Sequence, residues 1–249
     1  MGDPQVQAWH RRLLVGSIGL LSLAAWLALW QFGAVLHGPV HHHHADSGSA
    51  SALLFVGAWT VMTIAMMLPT SVPLIATFHT IAGPRADRSL LIALVVAGYL
   101  ATWAAVGFLF YGGGDLFQRL GAASTWLTGH ASLTSGVVLV VAGLFQFTPL
   151  KYRCLDKCRS PLSFVLGYWQ GQHDRRNAFR LGVHHGLFCV GCCWALMLLM
   201  FAVGVGNVAW MLLLGAVMAV EKNVPWGRQV SAPLGVLLVI GGGAELVLA

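Results

Sequence analysis

Charged residues are scarce in this 249-residue chain. Asp, Glu, Lys and Arg together make up 9% of it, and only eight residues are acidic. Because a soluble globular domain carries about 25% charged residues, this scarcity excludes an ordinary soluble domain. The hydrophobic share of 57% and the mean hydropathy of +0.76 instead indicate a helical protein that crosses a membrane several times.

Motifs for several common activities are also missing. The chain has no phosphate-binding P-loop, no G-x-S-x-G nucleophile elbow and no H-E-x-x-H zinc motif, so we expect no hydrolase or kinase and treat the protein as a non-enzyme. The net charge of +6 does not indicate nucleic-acid binding, because the cations lie in segments between apolar runs. No cleavable signal peptide is evident, since residues 13–35 are too long for a signal core.

Cysteines are few, but their distribution is informative. There are five of them, an odd number, and they cluster along the sequence instead of pairing at intervals. This pattern argues against a disulfide framework.

Seven apolar runs predict an all-α transmembrane bundle forming a single integral membrane domain over residues 1–249. The sixth run is shorter than the roughly 20 residues that a span needs, so six spans are the alternative. The predicted spans are 13–35, 53–80, 89–111, 131–149, 181–203, 207–222 and 231–248.

The basic residues predict the orientation. With a cytoplasmic N-terminus and seven spans, all of the fourteen Lys and Arg residues except Arg119 fall on the cytoplasmic side, as the positive-inside rule requires. We therefore expect a multi-pass protein of the bacterial inner membrane, in contact with the lipid bilayer. Residues 36–52 would form a His-rich outer loop, and residues 150–180 a basic cytoplasmic loop. The run His41–His44 is either a weak capture patch for divalent metal ions or a tolerated polar loop.

The segment from residue 181 to residue 200 combines a span's hydrophobicity with metal-ligand chemistry. At 100° per residue, His185, Cys189, Cys192 and Cys193 share one face of a helix, whereas His184 lies off it. Thiols and imidazole at this spacing suit Cu(I) or Zn(II). Buried cysteines that serve only as small apolar side chains are the alternative.

A second pair of cysteines follows the fourth predicted span. Cys154 and Cys158 form a C-x₃-C pair, which is a weak signal alone. The predicted topology brings this pair to the same membrane face as the start of the fifth span, where the reducing cytosol keeps thiols available. An idle pair of thiols in a basic loop is the alternative.

Two further candidate features lie in the second and sixth predicted spans. Met62 and Met66 are one turn apart in the second span, and uncharged thioethers suit Cu(I), although Met also packs adaptably in cores. Glu221 and Lys222, at the inner end of the sixth span, are either a functional intramembrane acid with its neighbour or an interfacial ion pair.

Four sequence blocks resemble one known family. The blocks W-T-x-M-x₃-M-M-L-P, F-x-P-L-K-x₂-C-L-x₂-C, H-H-G-x₂-C-x-G-C-C-W and E-K-N-x-P-W-G occur in order between residues 53 and 245. They are similar to the bacterial predicted metal-binding integral membrane proteins, domain-of-unknown-function family 2182. The resemblance implies a multi-helix inner-membrane protein with a cysteine and histidine metal site.

Together these features predict an inner-membrane metal-binding protein that handles copper, with Cu(I) preferred and zinc as the alternative ion. It would transport copper or deliver it to a copper-dependent membrane or periplasmic enzyme. The other hypotheses are an accessory subunit of an oxidase or monooxygenase complex, and a thiol or haem redox protein. The candidate ligands are Cys154, Cys158, His184, His185, Cys189, Cys192, Cys193, Met62 and Met66.

Overall fold

A computed structural model describes residues 4–36, 49–122, 131–169, 174–203 and 207–248. Over these ranges the chain is helical and contains no β-strand. Short 3₁₀ turns occur at Pro69–Ser71 and Gly227–Val230. The ten α-helices are α1 (Pro4–Leu36), α2 (Ser49–Met66), α3 (Val72–Ala82), α4 (Arg88–Ala122), α5 (Ala131–Phe145), α6 (Pro149–Arg159), α7 (Pro161–Tyr168), α8 (Asp174–Val203), α9 (Val208–Asn223) and α10 (Ser231–Leu248). The run His41–His44 lies outside the described residues.

Four helices, α1, α4, α8 and the one ending at Leu248, are long and apolar enough to cross a membrane. Two bent pairs, α2 with α3 and α5 with α6, raise the number to six if each pair is one span. The 16 residues of α9 extend about 24 Å, which is less than a hydrocarbon core of about 30 Å. The all-helical class is thus confirmed, whereas seven spans and a cytoplasmic N-terminus stay predictions.

The bend of 49° between α2 and α3 follows from proline chemistry. Pro69 has no backbone N–H, so the carbonyl of Ala65 loses its partner within the helix. The Ser22 hydroxyl of α1 donates to this carbonyl at 2.8 Å. The broken helix therefore keeps its buried polar groups paired, as a membrane interior requires.

The segment expected to be a basic loop, 150–180, is helical over most of its length. The Thr148 hydroxyl caps α6 by accepting from the backbone N–H of Lys151 at 3.3 Å, and Pro149 occupies the first turn. Both are helix-start signals. The short apolar piece after Ser160 forms α7, which agrees with the expectation of a short helix there.

Helices α4 and α8 approach each other closely through small residues. A Cβ added at Gly182 would be 2.0 Å from the carbonyl oxygen of Val95, and one at Gly98 would be 2.2 Å from that of Phe179. Glycines at such crossings let helix backbones touch. This contact sets the position of α8, which carries most of the candidate ligands.

Outside the apolar helices, the connection between α3 and α4 is tied to the beginning of α8. The Arg85 guanidinium forms an ion pair with Asp174, the first residue of α8. The hydrogen bond that the guanidinium donates to Asp174 raises the pKa of Arg85 above its ordinary value. The guanidinium is also paired with Asp87 at 3.2 Å.

Candidate metal centre

Three cysteines occupy just over one turn near the middle of α8. Cys189, Cys192 and Cys193 are each at most 2% exposed. The thiols of Cys192 and Cys193 donate to the backbone carbonyl of Cys189, at 3.1 and 2.9 Å. Because α8 already begins at Asp174, Cys189 lies about 22 Å along the helix. The apolar run, which begins at residue 181, predicted the cysteines in the first turns of the helix. They lie further along it, because the helix begins earlier.

The two cysteines of α6 lie against this turn of α8. A Cβ added at Gly191 would be 2.6 Å from the Sγ of Cys154, so the Cys154 sulfur occupies space that a side chain at Gly191 would fill. The Cys158 thiol lies beside that of Cys192, and Cys158 packs against the same core as the cysteines of α8. The structure thus brings together two cysteine groups that are distant in sequence. Their role as metal ligands stays a prediction.

The sulfur atoms are arranged as hydrogen-bonding groups and not as a preformed ligand set. All five thiols are free. Among the residues that the structure describes, no group of three or more His, Cys, Asp or Glu side chains has the geometry of a metal site. The thiols of Cys192 and Cys193 point at a carbonyl instead, so a shared ion would require them to change side-chain rotamer.

Met67, just after α2, extends the sulfur cluster. Its Sδ lies 3.9 Å from the Cys193 Sγ. It follows the predicted pair Met62 and Met66, which are buried in the same hydrophobic core as the cysteines. Met66 packs towards α9, where a Cβ added at Gly215 would be 3.4 Å from its Cε. Met67 is therefore a thioether in contact with a thiol, and the role of Met62 and Met66 as ligands stays a prediction.

The two histidines of α8 face different neighbours. His185 is 4% exposed, and its Nε2 lies 3.1 Å from the Ser71 hydroxyl. Its Nδ1 is buried without a hydrogen-bond partner in the described structure. His184 instead stacks on Tyr168 of α7, with ring centroids 4.6 Å apart. Only His185 therefore lies on the cysteine side of α8.

A buried lysine and a buried tyrosine complete the surroundings of Cys189. The Nζ of Lys222 lies 2.9 Å from the Cys189 Sγ, 3.7 Å from the Met67 Sδ and 3.4 Å from the Thr70 Oγ1. The Tyr99 hydroxyl lies 3.1 Å from the same Cys189 sulfur. The Lys222 ammonium is a donor directed at sulfur, and a neighbouring cation favours the thiolate. In the contact between Tyr99 and Cys189 either atom can be the donor.

Glu221 does not pair with its neighbour Lys222. Its carboxylate accepts from the Nζ of Lys151 at 2.7 and 2.9 Å and from the Ser231 hydroxyl at 2.7 Å. The Gln146 side chain also accepts from Lys151. The expected interfacial ion pair of Glu221 and Lys222 is wrong, because residues adjacent on a helix point about 100° apart. The resulting buried network joins α6, α9 and the first turn of α10.

Met67, Tyr99 and Lys222 were not predicted as part of the centre. The sequence could have indicated Met67 as a candidate, since it adjoins Met66 and precedes the helix break at Pro69. Tyr99 gave none, because a single tyrosine in an apolar helix usually packs in the core. Lys222 is a buried cation at the end of an apolar run, and a cation within a predicted span indicates a functional site.

Comparison with known proteins associates the chain with copper. A family model described as the copper chaperone PpoB2 matches residues 56–244. That range covers most of the chain and contains both cysteine groups. The chain belongs to this copper chaperone family. No curated protein and no solved structure matches it significantly.

Membership of the copper chaperone family supports the predicted association with copper and, more coarsely, with copper enzymes that receive it. The matched residues begin within α2 and end within α10, so they include every helix that contributes to the sulfur cluster. The N-terminal helix α1 lies outside the match. It nevertheless contributes the Ser22 hydroxyl at the bend between α2 and α3.

Proposed function

We propose that this protein is a multi-pass chaperone of the bacterial inner membrane that holds Cu(I) on thiols of α6 and α8 and passes it to a copper-dependent membrane or periplasmic enzyme. The observation that carries the proposal is the meeting of Cys158 with Cys192 and of Cys154 with Gly191. The positive-inside pattern supports a cytoplasmic N-terminus, with α9 as a seventh, short span. The four sequence blocks support a relation to family 2182.

The donor set suits Cu(I). Thiolate and thioether ligands are soft and favour monovalent copper over harder ions. The buried Nδ1 of His185 has no hydrogen-bond partner, whereas Nε2 is held by Ser71. An imidazole fixed through one nitrogen leaves the other available as a ligand. His185 is therefore proposed as an additional ligand, and His184 as a packing residue against Tyr168.

A series of sulfur atoms leads inward from the surface of the bundle. Cys158 is half-buried and contacts the buried Cys192. On the same turn of α8, Cys193 contacts Met67. We propose that Cu(I) moves along this series by ligand exchange, each new Cu–S bond replacing an older one without change of oxidation state. Met62 and Met66 would continue the series within α2.

The proposal predicts that Cys158→Ser and Cys192→Ser each weaken Cu(I) binding at least about a hundredfold. Substitution of a residue that only orients a ligand typically costs about 10- to 100-fold in metal affinity, and loss of a ligand should cost at least as much. Serine is nearly isosteric with cysteine at both positions. At position 192 its hydroxyl can still donate to the Cys189 carbonyl, so folding should be preserved. Affinity is measured on the full chain in detergent by competition with the chromophoric Cu(I) chelator bicinchoninate.

A methionine pair provides the control for the thioether contact. Met67→Leu should weaken Cu(I) binding about tenfold, whereas Met197→Leu, which removes another buried thioether, should not. Equal and negligible Cu(I) in the wild type and both cysteine variants would refute the proposal. Unchanged copper binding in both cysteine variants would refute the site, and would favour an accessory subunit with structural thiols.

Gly191 offers a test of the close approach between α6 and α8. Gly191→Ala should displace Cys154, because the added Cβ would be 2.6 Å from its sulfur. We expect Cu(I) affinity to fall about tenfold, as for other changes that disturb ligand placement. The same competition assay measures the effect.

Gly57→Ala serves as the matched control for Gly191→Ala. Gly57 lies on α2 and has open space where its Cβ would be, so copper binding should remain at the wild-type value. An undiminished affinity in Gly191→Ala, with the protein folded, would contradict a role for the Cys154 contact.

A further inference from the structure

The ammonium group of Lys222 is a buried positive charge beside sulfur. The side chain is 7% exposed, and its Nζ is closest to Cys189, at 2.9 Å, and then to Thr70 and Met67. In the described part of the chain no carboxylate forms an ion pair with it. The neighbouring carboxylate of Glu221 is committed to Lys151.

A buried ammonium is costly unless an opposite charge compensates it. Here the groups that can supply the opposite charge are the sulfur ligands themselves. When Cu(I) replaces the protons of two thiols, the two thiolates and the metal carry a net charge of −1, and the two protons leave. The charge of Lys222 then neutralises the complex.

The same charge discriminates between cations. A metal bound to the Cys189 sulfur would lie within about 5 Å of Nζ, and one bound to the Met67 sulfur within about 6 Å, given a metal–sulfur bond of roughly 2.3 Å. With a given set of ligands, a divalent ion carries one more positive charge than Cu(I). It is therefore repelled more strongly by the ammonium at this distance, where little water screens the interaction.

We propose that Lys222 is the residue that makes the centre selective for monovalent over divalent soft metal ions. The inference rests on the proposed copper function and adds its selectivity. Lys222 is not a ligand. It acts through its charge on whichever ion the sulfur atoms hold.

The test uses Ag(I) and Cd(II), which have the same d¹⁰ electron count and differ by one charge. The full chain in detergent is titrated with each metal in competition with chelators of known affinity. Lys222→Gln should shift the preference towards Cd(II) by at least about tenfold relative to the wild type. Lys222→Arg, which retains the charge, should keep most of the wild-type preference.

An exposed lysine supplies the matched control for charge removal. Lys157 lies on the solvent-exposed side of α6, the helix that carries Cys154 and Cys158. Lys157→Gln removes one positive charge close to the site in sequence, but water and salt screen it. The preference between Ag(I) and Cd(II) should therefore not change.

A second route leaves Lys222 in place, in case its replacement prevents folding. Thr70 lies 3.4 Å from Nζ, so Thr70→Asp places a carboxylate beside the ammonium and neutralises it. It should produce the same shift towards Cd(II), whereas the uncharged and nearly isosteric Thr70→Asn should not.

The outcomes separate the two proposals. A wild-type preference retained in the folded Lys222→Gln and Thr70→Asp variants overturns the role of Lys222 and leaves the copper function intact. A shift that Lys157→Gln or Thr70→Asn reproduces also overturns it. Failure of the wild type to bind Cu(I) or Ag(I) overturns the copper function itself.

Discussion

Glu221→Gln is expected to destabilise the protein by about 3–5 kcal/mol, because it leaves the ammonium of Lys151 buried without its counter-charge. Lys151 is completely buried and Glu221 is 2% exposed, and they are 2.7 Å apart. The unfolding of the purified chain in detergent, followed by circular dichroism against temperature and denaturant, measures the loss.

An exposed ion pair provides the comparison for Glu221→Gln. Arg228 and Asp156 are 3.4 Å apart with both side chains about half exposed, and such pairs contribute about 0–1 kcal/mol. Arg228→Gln should therefore have little effect on unfolding. A loss below about 1 kcal/mol in Glu221→Gln would show that Lys151 does not depend on this carboxylate.

The consequence for the metal centre follows from the position of the network. Lys151 is one turn before Cys154 on α6, and Glu221 precedes Lys222 on α9. Breaking the pair should thus loosen both the helix that carries two thiols and the helix that carries the charged lysine. We expect Cu(I) affinity to fall in Glu221→Gln even at temperatures where the protein stays folded.

Gly182→Ala is expected to cost about 3 kcal/mol, the upper part of the range for overpacked sites. The new Cβ would be 2.0 Å from the carbonyl oxygen of Val95. Because that atom belongs to the backbone of α4, it cannot move aside as a flexible side chain would, and the two helices must separate. The same unfolding assay, together with the yield of monodisperse protein, measures the effect.

For Gly112 on α4 we expect the opposite effect of an alanine substitution on stability. Nothing lies within 4 Å of a Cβ at this position, and alanine favours a helix over glycine by roughly 0.5–1 kcal/mol. Gly112→Ala should therefore be neutral or slightly stabilising. A similar response to the two substitutions would mean that α4 and α8 are not held in contact at Gly182.

The sequence alone predicts those properties that depend on composition and on single helices. The apolar runs predict helices that are long and apolar enough to span a bilayer, and the structure contains four of them in its described residues. The helical repeat places Cys189, Cys192 and Cys193 on one side of α8 and turns His184 away from them. These predictions succeed because they depend on a few neighbouring residues and one fixed rotation per residue.

Contacts between helices could not be predicted in the same way. Met62 and Met66 stood out as a thioether pair, and the structure adds Met67, whose Sδ lies 3.9 Å from the Cys193 Sγ. Glu221 and Lys222 looked like a pair because they are adjacent. The rotation of α9 directs one of them to Lys151 and the other to Cys189.

Local sequence thus determined the all-helical class, the helices apolar enough to cross a membrane and the side of α8 on which the thiols lie. Only the tertiary structure decided that Cys154 fits against Gly191 and that Lys222 faces sulfur. The physical reason is that the distance and relative rotation of two helices are set by glycine contacts, bends and buried polar pairs. Those interactions join residues that are far apart in sequence, so no local repeat reveals them.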